Sequence, residues 1–223
     1  MRRCVGCAGL ALVLAFACAP GPARAAFGDP LESLNRAVFD LNQYVAEKTR
    51  PLKERVHSNL NPTVLQGLRN FLDNIAEPGV ALSYLAEGEV GQSRLALERL
   101  AINTVEGPLG FRDVASAEGL TQRPSSLTDV LCHYGVPSGP YVMLPFYGGM
   151  TLRTLAAQVA TLSAGYLIFG EIYLGYRITV LSLDTLEQPG AFHHVQFLDN
   201  GQPDPYAAIR AWQRMQERTA CDS

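Results

Sequence analysis

The sequence contains none of the short motifs through which the common enzyme classes do their chemistry. It has no G-x-S-x-G nucleophile turn, no H-E-x-x-H zinc motif and no glycine-rich loop followed by Lys-Ser or Lys-Thr. Its 223 residues include only four histidines, and the adjacent His193 and His194 would point apart on a helix or strand. We therefore predict no catalytic residues, no metal site and no cofactor.

Basic residues are also scarce, which restricts the partners. The chain has 18 lysines and arginines against 21 aspartates and glutamates. Arg2, Arg3 and Arg24 lie in the first 25 positions, which contain no acidic residue, so the remainder is more acidic still. A surface that binds nucleic acid needs an excess of positive charge. The composition therefore predicts no nucleic acid partner.

The N-terminus has the pattern of an export signal. Two arginines follow the initial methionine, an apolar stretch covers residues 5–17, and Ala23-Arg24-Ala25 supplies the small residues of a cleavage site. The apolar stretch is short for a permanent spanning helix, although an uncleaved anchor is the alternative. We predict a signal peptide over residues 1–25 and one exported domain over residues 26–223.

The cysteines leave two alternatives open. Cys18 ends the apolar stretch after small residues, as in a lipoprotein signal, so the chain is cut either after Ala25 or before a lipidated Cys18. Outside the signal only Cys132 and Cys221 remain. An even pair in an oxidising compartment is consistent with one disulfide, and two unpaired thiols are the alternative.

Proline next to a capping residue predicts where three helices begin. The pairs are Asp29-Pro30, Asn61-Pro62 and Asp204-Pro205, and Glu32 would complete a capping box in the first helix. Strand-like alternation is nowhere sustained, so the fold class is predicted to be mainly α.

Further helices follow from the spacing of apolar residues and from breakers. The second helix is predicted to stop at Glu77-Pro78-Gly79, and a third begins near Val90 and ends near Glu106. Residues 151–187 are predicted to form two helices with a break between Gly165 and Gly175, and residues 189–203 to form a loop.

Two faces of the first predicted helix differ in character. An apolar stripe recurs at helical spacing through Leu31, Leu34, Val38, Leu41 and Val45. Asn35, Phe39 and Asn42 share a neighbouring face. These amides could line a polar passage, or they could make hydrogen bonds between helices.

Residues 130–150 combine turn-forming and aromatic residues in an unusual way. Loops are normally polar and lie in water, whereas this one is apolar. Irregular backbone cannot face lipid hydrocarbon, so we expect the segment to pack on protein or to line a wet cavity. The uncharged windows 130–152 and 154–170 are interpreted as buried core, and partial embedding in a membrane from one side is the alternative.

Five short blocks of residues follow one another along the chain. The blocks are Asp29-Pro30-Leu31-Glu32 with Asn35-Arg36 and Phe39; Asn70-Phe71-Leu72 with Asn74 and Glu77-Pro78; Arg99-Leu100 to Asn103-Thr104 with Gly110-Phe111 and Asp113-Val114-Ala115; His133 to Val142 with Leu144 to Gly148 and Thr151-Leu152-Arg153; and Asp204-Pro205-Tyr206 with Arg210 and Gln213. In this order the blocks make the sequence similar to the MlaA/VacJ family of outer-membrane phospholipid-transport proteins. The resemblance covers nearly all of residues 29–218.

The resemblance implies a fold, a location and a function. Members are mainly helical, ring-like domains sunk from the periplasmic side into the inner leaflet of the Gram-negative outer membrane. They carry an amphipathic channel and associate with trimeric porins. They remove misplaced phospholipid from the outer leaflet and pass it to a periplasmic carrier of the Mla system, which delivers it to an inner-membrane ABC complex. No bond is broken in this transport.

A channel for phospholipid needs a polar wall for the head group and apolar surroundings for the tails. Gly139 and Gly148 are predicted to permit a backbone geometry that a side chain would block. The residues predicted to form the wall are Asn35, Phe39, Asn42, Gly135, Gly139, Pro140, Tyr141, Pro145, Phe146, Tyr147 and Gly148.

Two other functions are compatible with parts of the sequence. An exported structural protein could coat the inner leaflet of the outer membrane without transporting anything. An exported lipid hydrolase would need a nucleophile motif that the sequence lacks, and release of free fatty acid by the purified protein would reveal it.

Overall fold

The computed structural model describes residues 29–187 and 203–222. The predicted signal peptide, including Cys18, lies outside the described residues, as do His193, His194 and almost all of the loop predicted over 189–203. The described chain consists mainly of helix, which confirms the predicted fold class.

The helices account for most of the described residues, and two short strands lie between the fifth and sixth helices. A single 3₁₀ turn covers Pro108–Gly110. The helices are α1 (Glu32–Asn59), α2 (Pro62–Glu87), α3 (Val90–Val105), α4 (Val114–Ala117), α5 (Leu127–His133), α6 (Leu152–Phe169), α7 (Glu171–Glu187) and α8 (Pro205–Asp222), and the strands are β1 (Tyr141–Leu144) and β2 (Gly148–Thr151).

The three predicted capping residues all accept a backbone N–H. Asp29 accepts from the Leu31 N–H at 3.1 Å, although α1 begins only at Glu32. The Asn61 side chain accepts from the Thr63 N–H at 2.9 Å, and the Asp204 side chain accepts from the Ala207 N–H at 3.1 Å. The predicted capping box at Glu32 is wrong, because α1 begins at Glu32 itself and that carboxylate accepts from Arg36 at 2.9 Å.

Helix α2 does not stop at Pro78, so that prediction is also wrong. It continues to Glu87 and ends at Gly88, whose φ of 84° closes the helix in the left-handed conformation. Val80 and Ala81 pack against Ala96 of α3. This packing stabilises the turn after the proline and outweighs the hydrogen bond that the proline cannot donate.

Part of the apolar loop is an antiparallel hairpin, which the sequence analysis missed. Tyr141 pairs with Thr151 and Leu144 pairs with Gly148. Tyr141 and Met143 are buried while their neighbours are half-buried, so the alternation typical of a strand lasts for only four residues. The break predicted between 165 and 175 is confirmed at Gly170, where α6 ends.

Apolar side chains cover much of the outer surface, and amides lie inside. On α1, Leu34 is 59 % exposed whereas Asn35 is 1 % exposed. Helix α6 is long and apolar enough to cross a membrane by length and composition alone, with a mean hydropathy of 1.2, and only 17 % of it is buried. The interpretation of residues 154–170 as buried core is therefore wrong.

Candidate functional site

The hairpin is held against α1 by the two asparagines that the sequence placed on one helix face. The Asn35 amide accepts from the Met143 N–H at 2.9 Å and donates to the Tyr141 carbonyl at 3.0 Å. The amide oxygen of Asn35 therefore binds an N–H of β1, and its amide nitrogen binds a carbonyl of β1. This pair of bonds replaces the pairing that a neighbouring strand would give β1.

Asn42 repeats the arrangement two helical turns further along. Its amide donates to the Leu144 carbonyl at 3.0 Å and accepts from the Phe146 N–H at 2.9 Å. Residues seven apart lie on the same face of a helix, which is why both amides reach the same hairpin. The expectation of hydrogen bonds between helices is corrected here, because these amides bond to strand and turn backbone. We call Asn35 and Asn42 the asparagine clamp.

The buried carboxylate of Asp29 contacts Asn35, the first residue of the clamp. Asp29 accepts from Asn35 at 3.1 Å and from the Tyr206 hydroxyl. Burial would raise the pKa of Asp29, but hydrogen bonds from Tyr206, Asn35 and Leu31 hold that pKa below its ordinary value. Burial and the bond to Asp29 raise the pKa of Tyr206. The pair therefore keeps Asp29 ionised and Tyr206 protonated.

Helix α8 is attached to α1 beside this carboxylate. Arg36 donates to both oxygens of Asp204 at 2.9 and 2.6 Å, and its guanidinium lies 4.5 Å from the centre of the Tyr206 ring. The hydrogen bonds from Arg36 lower the pKa of Asp204 to about 2. Phe39 fills the space between, edge-on to Tyr206 at 5.9 Å.

Gly149 lets the second strand approach α8. Gln213 of α8 donates to the Gly149 carbonyl, and the Tyr141 hydroxyl lies directly against Gly149. A Cβ atom at position 149 would lie 1.7 Å from that hydroxyl oxygen, which is far inside contact distance. A side chain therefore cannot be placed here without moving Tyr141 or α8.

We expect Gly149→Ala to lower the free energy of unfolding by about 1–3 kcal/mol, because the added methyl group overpacks the contact with Tyr141. Chemical denaturation followed by circular dichroism measures the change. Gly79→Ala is the matched control, since a Cβ at position 79 of α2 meets no atom within 4 Å. Equal stability of the two variants would contradict the close contact at Gly149.

The structure brings most of the predicted wall residues together around the hairpin. Asn35 and Asn42 bond to the backbone of β1 and of the tip, as described. Gly135, Gly139 and Gly148 have φ values of 74°, 71° and 107°, which favour glycine.

The hairpin tip and its flanks hold the other predicted wall residues. Phe146 and Pro145 are exposed there, and the Phe146 φ is 60°. The Tyr147 hydroxyl donates to Gln158 at 2.6 Å, and the Pro140 carbonyl accepts from the Leu152 N–H at 3.0 Å. The role of these residues in a channel wall stays a prediction.

A second polar cluster, around Arg99 of α3, was given no role by the sequence analysis. The Arg99 Nε donates to Glu77 of α2 at 2.8 Å, and the other guanidinium nitrogens donate to Asp113, to the Ser116 hydroxyl and to the Leu120 carbonyl. Arg99 and Glu77 are 3 % and 2 % exposed. This guanidinium joins α2 and α3 to the segment that contains α4.

The same cluster brings together, in the folded chain, the two blocks of the family resemblance that contain Glu77 and Arg99. Asn103, one turn after Arg99, accepts from the Ala115 N–H at 2.9 Å and donates to Asp113 at 3.1 Å. The i, i+4 spacing of Arg99 and Asn103 on a predicted helix was the available signal. Because their partners are distant in sequence, that spacing could not identify what the two residues bind.

Cys132 and Cys221 form a disulfide that joins α5 to the end of α8. Their Cα atoms lie 5.5 Å apart, across 89 positions of sequence. Within residues 29–187 and 203–222, histidine, cysteine and acidic side chains form no group of three that could hold a metal ion.

The sequence and the structure are both similar to those of known members of one protein family. The model of the family described as MlaA lipoprotein matches residues 27–220. The chain is 33 % identical to the intermembrane phospholipid transport system lipoprotein MlaA of Shigella flexneri and 32 % identical to that of Escherichia coli (strain K12), covering 82 % of this chain and 74 % of each relative. A solved structure from work on the structural basis for maintenance of bacterial outer membrane lipid asymmetry superposes with a TM-score of 0.71 at 28 % identity, covering 87 % of this chain and 100 % of the other.

Proposed function

The chain belongs to the MlaA lipoprotein family, and on that premise we propose that it transports phospholipid at the outer membrane of a Gram-negative cell. It takes misplaced phospholipid from the outer leaflet and passes it to a periplasmic carrier of the Mla system. A trimeric porin is its proposed membrane partner. The proposal covers a transport step and no chemical conversion.

The observation that carries the proposal is the reversal of the usual burial pattern. A protein in water buries its leucines and exposes its amides, whereas α1 exposes Leu34 and Leu41 and buries Asn35 and Asn42. Large apolar side chains that are exposed together mark a surface that contacts lipid or another protein. Buried amides keep the polar backbone of the hairpin satisfied where no water reaches it.

Several large apolar side chains are exposed together at the elbow between α6 and α7. Helix α6 ends with Tyr166, Leu167, Ile168 and Phe169. Ile172 lies in the first turn of α7 and has 83 % of its surface exposed. The two helices pack closely beside the elbow, where Tyr173 of α7 lies over Gly165 of α6. We propose that this elbow enters the hydrocarbon of the inner leaflet.

Ile168→Glu is expected to weaken binding to phospholipid vesicles about 100-fold. A charged side chain in hydrocarbon costs about 3 kcal/mol, which corresponds to two factors of ten in partitioning. Flotation of the purified protein with vesicles measures the bound fraction. Thr121→Glu adds the same charge to an exposed loop and should leave binding unchanged. Wild-type binding by the Ile168 variant would contradict the assignment of the elbow.

Deletion of the gene followed by an assay for surface-exposed phospholipid tests the function. We expect phospholipid in the outer leaflet to rise and the intact gene to restore asymmetry; unchanged asymmetry would refute the proposal. Leucine substitutions at Gly139 and Gly148 distinguish a channel from a protein that only coats the membrane. If these glycines line a channel, the substitutions should raise the phospholipid in the outer leaflet, whereas a coat should be unaffected. Gly119→Leu is the control, because Gly119 also has a positive φ, of 90°, and a Cβ at position 119 meets no atom within 4 Å.

A further inference from the structure

The disulfide joins the C-terminal end of α8 to α5. The first turns of α8 are buried through Tyr206 and Ile209. Further along, Glu217 accepts from the Thr154 hydroxyl at 3.1 Å, and Cys221 is bonded to Cys132. The covalent link therefore holds the end of the helix whose Gln213 bonds to the hairpin.

The two sulfur atoms lie in different surroundings. Cys221 is exposed, whereas Cys132 is half-buried at the last turn of α5. The Arg153 guanidinium lies 3.2 Å from the Cys221 sulfur, and its side chain is itself buried. A guanidinium beside a cysteine favours the thiolate, which is the reactive form, and burial of the guanidinium reduces the screening of its charge by water.

The Arg153 nitrogen that lies 3.2 Å from the Cys221 sulfur also has one described acidic neighbour, Glu217, and the sulfur is the nearer of the two. Glu217 lies one turn before Cys221 on α8, and its carboxylate is 3.7 Å from Arg153 and also bonded to Thr154. His133 follows Cys132 on α5, where it is exposed. The Arg153 nitrogen that faces Cys221 is a different one from the nitrogen that donates to the Val136 carbonyl at 2.9 Å.

We propose that Cys221 is the thiol through which this chain is oxidised, and that the oxidant is a thiol–disulfide oxidase of the cell envelope. The Cys221 thiolate attacks the disulfide of the oxidase, forms a mixed disulfide and releases one oxidase thiolate. The Cys132 thiol then loses its proton and attacks the Cys221 sulfur. The second oxidase thiolate leaves, so the chain gains one disulfide and the oxidase is reduced to its dithiol.

The order of attack follows from access and charge together. An incoming protein disulfide can reach Cys221 at the surface, whereas half-buried Cys132 is placed to attack the neighbouring sulfur from inside. Cys132 lies on α5 and Arg153 on α6, so both belong to elements that precede α8 in the chain. The disulfide then closes once α8 has docked through Tyr206 and Ile209. The inference uses export from the cytoplasm, and it does not depend on lipid transport.

Oxidised glutathione is the probe for this order. The chain purified from the cell envelope in detergent is prepared as Cys132→Ser and as Cys221→Ser, reduced, freed of reductant and mixed with oxidised glutathione at neutral pH. Intact mass spectrometry follows the mixed disulfide. We expect Cys132→Ser, which retains Cys221, to react at least about tenfold faster. Equal rates, or faster reaction of Cys221→Ser, would overturn the proposal.

Two further measurements separate the folded environment from the local sequence. In concentrated urea the two rates should agree within about twofold, and a difference that persists there would refute the structural explanation. In the Cys132→Ser background, Arg153→Lys should keep most of the rate and Arg153→Met should lower it severalfold. An unchanged rate in a folded Arg153→Met variant would show that the guanidinium has no part in the reaction.

Discussion

Replacing Arg99 with alanine is expected to lower the free energy of unfolding by about 3–5 kcal/mol, the largest effect of any single substitution considered. The guanidinium is buried and donates to Glu77 of α2 and to Asp113 and Ser116 of the segment that contains α4. Its removal leaves the Glu77 carboxylate buried without its cation. The cost of that uncompensated charge, and not the strength of the original bond, determines the size of the effect.

Glu77→Gln should cost less, about 1–2 kcal/mol, although it breaks the same ion pair. Burial raises the pKa of Glu77 even though Arg99 lowers it, so the charged form of this carboxyl is disfavoured at its site. An amide removes that penalty and its oxygen still accepts from the Arg99 Nε. Arg99 also keeps Asp113 as a counter-charge, which glutamine at 77 does not disturb.

The same helix offers a matched control for the Arg99 experiment. Arg94 and Glu98 of α3 form an ion pair of 2.8 Å, but the Arg94 side chain is 78 % exposed. Arg94→Ala should change the stability by less than about 0.5 kcal/mol, because exposed pairs are screened by water. Denaturant unfolding in detergent, followed by circular dichroism, measures all three variants. A loss for Arg99→Ala within about 1 kcal/mol of the control would contradict a structural role for the cluster.

Local signals in the sequence were sufficient for helix starts and for some breaks. Asn61 and Asp204 cap their helices through bonds to residues two or three positions away, so nothing distant is needed to predict them. The break at Gly170 is local in the same sense. Pro78 was misread because its effect depends on packing between Val80 of α2 and Ala96 of α3, residues that meet only in the fold.

The direction of burial could not be read from α1 alone. A stripe of leucines beside a stripe of amides predicts that the leucines face the core, provided that the surroundings are water. Here Leu34 is exposed and Asn35 is buried against the backbone of Met143. The hairpin that needs those amides lies more than 100 positions away, and its strands are too short to show a sustained period. The sequence therefore placed Asn35 and Asn42 on one face of the helix, and it could not show which groups they bind.

Substituting leucine for Asn35 is expected to lower the free energy of unfolding by about 3 kcal/mol and to loosen the hairpin. Leucine has nearly the shape of asparagine, so packing is kept while the Met143 N–H and the Tyr141 carbonyl lose their partner in a buried site. Hydrogen exchange measured by mass spectrometry should show faster exchange in the peptide that contains Met143, by about 10–100-fold.

The exchange pattern distinguishes the clamp from a general loss of stability. Asn42→Leu should increase exchange at Phe146, whose N–H it releases, more than at Met143. Asn59→Ala on the exposed end of α1 should alter neither, because the Asn59 side chain bonds only within its own helix turn. Uniform acceleration over the whole chain in both clamp variants would contradict the proposed local role of the two amides.

Aspartate at the two clamp positions separates the hydrogen bonds from the charge. Asn35→Asp should be worse than Asn35→Leu, because it places a second carboxylate 3.1 Å from Asp29 in a buried site. Asn42→Asp should be milder, since the hydrogen bonds of Asn42 go to backbone groups.

The carboxyl introduced at position 35 would have a raised pKa in the folded state. Its destabilising effect is therefore largest above that pKa and shrinks as the pH falls, because the protonated acid can again donate to the Tyr141 carbonyl. Unfolding measured between pH 5 and about pH 8 should show this difference between the two variants, and equal curves would exclude Asp29 as the cause.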